Sequence, residues 1–486
     1  MANRSFSTTV EIDINPYDIE AEREPLLELD APSPLRLLVL GDFSGKATGK
    51  LVRVDGDNFE SIFHGFAPHV ELALGNGQLG DADLVFRSLS DFEPDSIYRQ
   101  SELFAPLRDH MGQALYSERE ESAQHEPLKP TTEQMQKLTS PGGLLDAIVE
   151  RTSSTGGGSA AAPAPQRMDE FQSMVSRIVA PYSTPAESVE SQRAAAERAQ
   201  RLSLLMAQIL HDEQFQALEA AWRGLDLLVR GLDTDHQVHL YLFDISKEKL
   251  AEELKATGDI RATGIFRALL EGAAGQWGLL AGNLSFDRDV IGDVELLERM
   301  SVLARAVGAP FIAEWLTSRQ ENSKAQAAWQ ALRRSAAASY LGLALPRFLL
   351  RLPYGKGTTP VEGFDFEEMT GEPVHSEYLW GNPAFACALV LGQLFEQQGS
   401  LQEVPGFLRL GGLPLHTFEL DGETRARPCT EVLLSDHDCQ TLLEEGVLPV
   451  VAVKSSDEVV FPKMQSIADP AAGLAGFEMA GWLTDI

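Results

Sequence analysis

The chain has few cysteines, no long apolar run and a shortage of positive charge. Its three cysteines, Cys387, Cys429 and Cys439, are too few for a disulfide framework, and their odd number indicates a reducing compartment. No stretch approaches the roughly 18 apolar residues of a transmembrane helix, which excludes direct membrane insertion. The N-terminal segment MANRSFSTTVEIDINP has no apolar core of a signal peptide. We therefore expect a cytoplasmic protein.

The charge balance excludes a further class of partner. Lys and Arg number 40 against 72 Asp and Glu, which gives a formal net charge of −32. Such a polyanion is repelled by phosphate groups, so nucleic acid and anionic membrane surfaces are excluded as main partners. Hydrophobic residues (44%) and charged residues (23%) have ordinary globular proportions. The length is sufficient for two or three folded domains.

Apolar patterning predicts a small α/β domain over residues 1–130. Residues 7–14 (STTVEIDI) alternate with the period of two that is typical of a half-buried strand. Residues 35–40 (LRLLVL) form a nearly continuous apolar run, as in a strand buried on both faces. A predicted helix opens after Asp95 and Ser96, which are both suitable N-cap residues. The remaining elements are predicted as strands at 52–54 and 70–74 and helices at 57–66 and 97–115.

Residues 131–166 are predicted to be a polar segment that contains a short amphipathic helix and a linker. The helix, LLDAIVER at 144–151, places four apolar side chains on one side, those of Leu144, Leu145, Ile148 and Val149. The following TSSTGGGSAAAPAPQ is a Gly, Ala and Pro linker that cannot bury enough apolar area to fold. The helix is therefore isolated from both predicted domains, which is typical of a tethered recognition peptide. Packing back onto the first domain is the alternative, and the sequence leaves both open.

Residues 167–486 are predicted to form a larger layered α/β domain with a helical lead-in at 187–230. Apolar segments that resemble buried strands alternate there with amphipathic helices. Apolar strands or buried segments are predicted at 238–245, 277–286, 310–315 and 340–352, and helices at 265–273 and 294–307. The predicted fold class is therefore α/β, in a mixed α+β arrangement.

The sequence offers little catalytic chemistry. The loop from Gly41 to Ala47 has three residues between its glycines, where a Walker phosphate loop has four, and lacks the Ser or Thr after Lys46. The SDHDC motif with His437 and Cys439 has no second ligand pair for zinc, so we expect a solvated turn. No hydrolase or kinase motif is present. We predict no enzyme activity, metal or cofactor, and a hydrolase or ATPase is kept only as a remote third class.

Two ordered series of phrases resemble known proteins. One resembles the small subunit of the type VI secretion contractile sheath over residues 1–125, and the other resembles the large sheath subunit over residues 200–465. The first series is LRLLVLGDFSGK, VDGDNFESIF and LVFRSLSDFEPDSIYRQSELFAPLRDH; the second is ILHDEQFQALEAAWRGLDLLV, ALPRFLLRLPYG, FDFEE and YLWGNPAFACAL. Long phrases that match in order across both halves make this resemblance specific.

The resemblance implies a structural role. Small and large subunits of this family form an interlocked heterodimer that polymerises into a helical tube around an inner tube, and contraction drives the inner tube outward. An AAA+ unfoldase grasps a short helix of the large subunit, which matches residues 143–154 here, with Leu144, Leu145 and Ile148 as anchors and Val149 on the same side. Protomers also exchange strands, and the segment that matches the donated strand is Thr9, Val10, Glu11, Ile12, Asp13 and Ile14. The implied partners are sheath subunits or other copies, with inner tube, baseplate and unfoldase as further candidates.

The sequence departs from the family in three respects, one of which is a shorter segment between PFIAEW (310–315) and YLGLALPRFL (340–349). One polypeptide joins subunits that are normally separate chains, which raises their effective concentration. The chain also ends at Ile486, where large subunits generally continue with strands for a neighbouring protomer. From this we expect either a cap, terminator or baseplate adaptor, or a polymerising sheath protein of a divergent system, and both remain open. The alternative from another class is a soluble adaptor that presents the 144–151 helix to the unfoldase.

Overall fold

A computed structural model describes residues 33–73, 81–108, 189–272, 276–317 and 322–477. The predicted strand at 7–14 and the predicted helix at 144–151 lie outside these residues. The central element is a seven-stranded sheet with the order β14-β8-β7-β6-β1-β5-β2. Its strands are β1 (Leu35–Gly41), β2 (Leu51–Val54), β5 (Val238–Asp244), β6 (Leu279–Asp287), β7 (Phe311–Leu316), β8 (Leu341–Leu345) and β14 (Leu448–Pro449). All neighbours are parallel except β2, which runs antiparallel to β5.

Helices cover both faces of this sheet, as expected for a parallel sheet. Along β1, Leu37 and Val39 face one core, whereas Leu38 and Leu40 face the other. The first core is completed by α1 (Phe59–Phe66), α4 (Glu213–Gly231) and α9 (Pro383–Gln398). The second is completed by α5 (Lys247–Lys255), α6 (Gly264–Glu271), α7 (Ile291–Val307) and α8 (Ser323–Arg333). The apolar run of β1 is thus explained by burial on both of its sides.

Smaller elements surround the central sheet. The helices are α2 (Pro94–Gln100), α3 (Val189–Leu210) and α10 (Asp436–Glu444), with short 3-10 turns at Leu89–Phe92, Glu102–Phe104, Ile260–Ala262, Ala338–Tyr340 and His375–Glu377. Three antiparallel pairs are β3 (His69–Ala73) with β4 (Asp81–Val85), β9 (Phe348–Leu349) with β10 (Trp380–Gly381), and β12 (Thr417–Leu420) with β13 (Glu423–Ala426). A three-stranded sheet has the order β11 (Leu408–Leu410), β16 (Val459–Phe461) and β15 (Val451–Ala452). No helix in these described ranges has the length and apolarity needed to cross a membrane.

Most element predictions for these residues are confirmed, and the helix predicted at 97–115 is wrong at its start. It begins at Pro94, with Glu93 as N-cap. Proline is favoured at the first helical position because its missing N–H would have no intrahelical partner there. Asp95 and Ser96 therefore lie inside the first turn, and the helix ends at Gln100. The carboxylate of Asp95 is consequently available for a contact outside its own helix.

The helical pattern predicted at 187–230 is divided into α3 and α4. Asp212 stands between them and accepts hydrogen bonds from the backbone N–H groups of Gln214 and Phe215, at 2.8 and 3.3 Å. Asp212 is therefore the N-cap of α4, a position where aspartate is favoured. Trp222, on α4, is fully buried, as expected for a core tryptophan.

Candidate functional site

The two segments with separate resemblances meet inside the central sheet. Strand β1 lies between β5 and β6, so that Leu37 is paired with Leu240 on one side and with Leu279 on the other. Strand β2 extends the sheet beyond β5, with Arg53 opposite Tyr241. Backbone hydrogen bonds in a parallel ladder need no particular side chain, so apolar strands of matching length are sufficient to form this contact. The N-terminal segment thus supplies two of the seven strands.

A buried carboxylate holds the loop that follows β1. Asp244, at the end of β5, accepts hydrogen bonds from the backbone N–H groups of Phe43 (2.8 Å), Ser44 (3.2 Å) and Thr48 (2.6 Å). The hydroxyls of Ser44 and Thr48 also donate to it, at 2.8 and 2.6 Å. Hydrogen bonds to an ionised acceptor are the strong ones, and Asp244 is 0% exposed. We call this arrangement the Asp244 clamp.

The Asp244 clamp explains the glycine-rich loop whose spacing departs from a phosphate loop. Its backbone donors are directed at a carboxylate of the same chain, and the N–H of Gly45 donates to Asp42 at 2.8 Å. Lys249 donates from its Nζ to the carbonyls of Lys46 and Ala47, at 2.6 and 2.7 Å. Burial, followed by the charge of Asp244, raises the pKa of Asp42. The loop therefore serves a contact within the chain.

An aromatic cluster around Trp222 of α4 forms the second part of the contact between the two segments. The indole N–H of Trp222 donates to the carbonyl of Phe43 at 2.7 Å. Rings from the N-terminal segment surround the indole, with centroids at 5.4 Å for Phe43, 6.0 Å for Phe59, 4.3 Å for Phe63 and 5.9 Å for Phe66. The pairs with Phe43, Phe59 and Phe66 are edge-to-face, and such pairs add to the stabilisation from buried area alone. Trp222 is thus a core residue shared by both segments.

A reciprocal contact joins a carboxylate of the N-terminal segment to a loop of the C-terminal segment. The carboxylate of Asp95, on α2, accepts hydrogen bonds from the backbone N–H groups of Glu362 and Gly363, at 2.9 and 2.6 Å. The ring of Tyr98, also on α2, lies 5.0 Å from that of Phe364. Asp95 therefore holds a loop of the C-terminal segment much as Asp244 holds a loop of the N-terminal segment.

A buried ion cluster fixes this C-terminal loop to α4. Arg351, 9% exposed, donates to Glu219 (2.9 Å) and Glu368 (2.8 Å), which both have fully buried side chains. Arg223 also donates to Glu219, at 2.7 Å, and to the hydroxyl of Tyr354, at 3.1 Å. Burial alone would raise the pKa of Glu368, but the charge of Arg351 and hydrogen bonds lower it to about 2. The cluster has two acids and two guanidinium groups, so its charges are balanced.

A cavity of about 820 Å³ opens beside the Asp244 clamp, at the carboxyl ends of β1, β5 and β6. This edge is where open parallel sheets commonly bind ligands. Lys46 and Lys247 line it together with Asp42 and Glu248. The ammonium group of Lys247 already donates to the carbonyl of Ser285 (2.6 Å) and pairs with the carboxylate of Asp293 (2.7 Å). Within the described residues, no three His, Cys, Asp or Glu side chains are grouped as metal ligands would be.

Several residues singled out in the sequence do not join this site. The strand residues Thr9 to Ile14 and the helix residues Leu144 to Val149 lie outside the described residues. The SDHDC motif forms the first turn of α10, where Ser435 and Asp438 make a capping box, so the expectation of a turn there is wrong. The sequence analysis missed Asp244, and it assigned Asp95 to a helix N-cap instead of the contact with Glu362 and Gly363. The available signal for Asp244 was a single acid at the end of an apolar strand, VHLYLFD.

Comparison with protein families identifies the two segments. The model for the VipB tail sheath N-terminal domain matches residues 192–317 and 315–468, which is more than half of the chain. The chain belongs to the VipB tail sheath family. Residues 13–117 match the type VI secretion system family VipA. The resemblance to both sheath subunits is therefore confirmed, and β1 is a strand of the VipA-matching segment between two strands of the VipB-matching segment.

A curated relative supports the same assignment. The chain is 36% identical over 315 residues to the type VI secretion system sheath protein TssC1 of Pseudomonas aeruginosa. The alignment covers 59% of this chain and 62% of the relative. The chain thus spans somewhat less than two thirds of the length of the curated relative that it matches.

Proposed function

We propose that this protein is a structural component of a type VI secretion contractile sheath, in which one polypeptide supplies both the VipA-like and the VipB-like part of the building block. The observation that carries the proposal is the position of β1 between β5 and β6. A VipA-like segment that completes the sheet of a VipB-like segment forms a preassembled pair with a fixed ratio of one to one. The role is assembly through protein contacts, without catalysis.

Its proposed partners are other copies of the chain or separate sheath subunits. Strand addition is the proposed mode, since an extended segment gains backbone hydrogen bonds with little demand on sequence. The proposed donor is the strand Thr9, Val10, Glu11, Ile12, Asp13 and Ile14. In the described part of the chain, β2 and β14 are the edge strands of the central sheet, and β11 and β15 are those of the three-stranded sheet. These edges are the proposed acceptors on a neighbouring protomer.

Inner tube, baseplate and unfoldase are proposed as further partners from the family resemblance. For the unfoldase, the proposed ligand is the helix at 144–151, with Leu144, Leu145, Ile148 and Val149 as its apolar face. Each such side chain buried in a groove contributes roughly 1.5–3 kcal/mol. The matches to sheath families over most of the chain do not favour the alternative of an adaptor that never enters an assembly.

Sedimentation and negative-stain electron microscopy test the proposal. The purified chain is examined alone and after mixing with the sheath proteins of its own system. We expect sedimenting ordered assemblies in at least one of the two conditions. A chain that stays monomeric in both, at concentrations where the sheath proteins assemble, would contradict a structural role in the sheath.

A further inference from the structure

A second surface lies away from the contact between the two segments. It is a groove of about 960 Å³ at the carboxyl ends of β7 and β8, beside the first turn of α10. The apolar part of its lining includes Trp315 and Leu345. Among its lining residues, the side chain of Leu316 is 41% exposed and that of Val432 is 52% exposed. Contiguous exposed apolar residues of this kind are typical of an interaction site.

The groove also carries an excess of negative charge. Its lining has four carboxylates, Asp287, Glu314, Glu431 and Asp438, against the single guanidinium of Arg347. Arg347 is bound to Glu431 through two bonds of 2.8 Å and lies 3.6 Å from Glu314. Glu314 is only 6% exposed, and burial raises its pKa. A cation brought into the groove would therefore gain favourable Coulomb energy.

A surface with complementary chemistry exists elsewhere on the same chain. Phe407 is the aromatic residue among the large apolar side chains exposed in the described residues, at 53%. The guanidinium of Arg409 lies 5.2 Å from the centroid of its ring. The Arg409 side chain is 58% exposed and is paired only at the surface, with Glu458 at 3.2 Å. The two residues thus present an aromatic ring and a positive charge side by side at the edge strand β11.

We propose that the groove receives the Phe407–Arg409 surface of a second copy, in a head-to-tail contact. The ring packs against Leu316 and Val432, and the guanidinium faces the carboxylates of the groove. Aromatic and arginine side chains are the usual anchors of protein interfaces. A contact between two different surfaces repeats from copy to copy and builds an open helical array when the rotation does not close. This inference rests on the proposed function and adds a second contact to strand exchange.

Site-directed disulfide cross-linking tests the contact in the full chain. Cys439→Ser provides the background, because Cys387 and Cys429 are buried. One preparation carries Val432→Cys and the other carries Phe407→Cys, at two exposed positions where folding is not at risk. We expect a covalent dimer joining residue 432 to residue 407 after the two preparations are mixed and oxidised. A chain with both cysteines is expected to give a ladder of covalent oligomers.

The results separate this inference from the proposed function. Assemblies without the 407–432 dimer, or with only 407–407 or 432–432 dimers, would overturn the head-to-tail contact while the structural role stands. Absence of any assembly would overturn both. As a second measurement, Val432→Asp and Arg409→Glu are each expected to reduce the sedimenting fraction at least tenfold. Val302→Asp, at a 44% exposed valine on α7, is the matched control and is expected to sediment like the unmodified chain.

Discussion

The carboxylate of Asp244 accepts hydrogen bonds from both the backbone N–H and the hydroxyl of Ser44, at 3.2 and 2.8 Å, across 200 residues of sequence. Ser44 belongs to the VipA-matching segment and Asp244 to the VipB-matching segment. The buried carboxylate at the end of β5, in the VipB-matching segment, therefore binds the loop that follows β1 in the VipA-matching segment. Together with the β1–β5 ladder, this contact makes the two segments one folded unit.

Asp244→Ala is expected to destabilise the chain by about 3 kcal/mol or more, since the buried N–H groups of Phe43 and Ser44 and the part-buried N–H of Thr48 would lose a charged acceptor. Urea unfolding at neutral pH measures the change. Asp235→Ala, at an exposed acid of the same region, is the control and is expected to change stability by less than about 0.5 kcal/mol. Equal stability of the two variants would contradict the Asp244 clamp.

Glu368→Gln is expected to destabilise the chain by about 3 kcal/mol at neutral pH, because the pKa of Glu368 falls from 4.5 to about 2 on folding. A lowered acid pKa contributes stability that is complete above about pH 4.5 and is lost as the pH falls towards 2. The difference between Glu368→Gln and the unmodified chain should therefore shrink over that window. Urea unfolding at several pH values measures it.

Glu367→Gln is the control for this experiment. Glu367 is exposed, and its oxygen accepts a hydrogen bond from the N–H of Lys356, which a glutamine retains. A loss of stability that is the same for both variants, or that persists unchanged below pH 3, would contradict the assignment of the effect to the pair of Glu368 and Arg351.

Gly224→Ala is expected to destabilise the chain by roughly 1–3 kcal/mol, although alanine is the better helix former. A Cβ at Gly224 would lie 2.5 Å from the ring of Phe385, where α4 packs against α9. Gly292→Ala, in the first turn of α7, is the matched control because its Cβ would meet nothing within 4 Å. Thermal unfolding of both variants should show opposite signs, and stabilisation by Gly224→Ala would refute the close packing.

Leu145→Asp is expected to weaken unfoldase binding at least about tenfold, because one buried apolar side chain contributes more than the roughly 1.4 kcal/mol of a tenfold change. Fluorescence anisotropy with the labelled chain and the unfoldase of its system measures the affinity. Assembly should be unaffected. Asp146→Asn, on the polar side of the proposed helix, is the control, and equal binding by both variants would remove the helix from unfoldase recognition.

Six of the seven strands of the central sheet were predicted, the longer ones because burial on both faces produces runs such as LRLLVL and VHLYLFD, whereas the two-residue strand β14 was not. The order of the strands within the sheet was not predictable. Which strands pair is decided by contacts across 200 residues, as between β1 and β5, and hydrophobic periodicity carries only local information. The phrases of the sheath family nevertheless located both segments that meet there.

The charged residues of the site were the least predictable part. Asp244 and Asp95 are two of 72 acids, and apart from the position of Asp244 at the end of an apolar strand, nothing in their local sequence distinguishes them from solvated acids. Pro94 did carry a signal, since proline at the first helical position would have placed the start of α2 correctly. The cluster of Arg351 with Glu219 and Glu368 depends on α4 and a distant loop, which the sequence alone does not bring together.

Pairing of the two sheath segments within one chain is tested most directly by a disulfide between β2 and β5. Arg53 and Tyr241 lie opposite each other in this antiparallel pair, and Arg53→Cys with Tyr241→Cys is made in the Cys439→Ser background. The account predicts an intramolecular disulfide at monomer mass on a non-reducing gel, and no covalent dimer when the two single-cysteine chains are mixed. Covalent dimers from that mixture, with little intramolecular product, would contradict it.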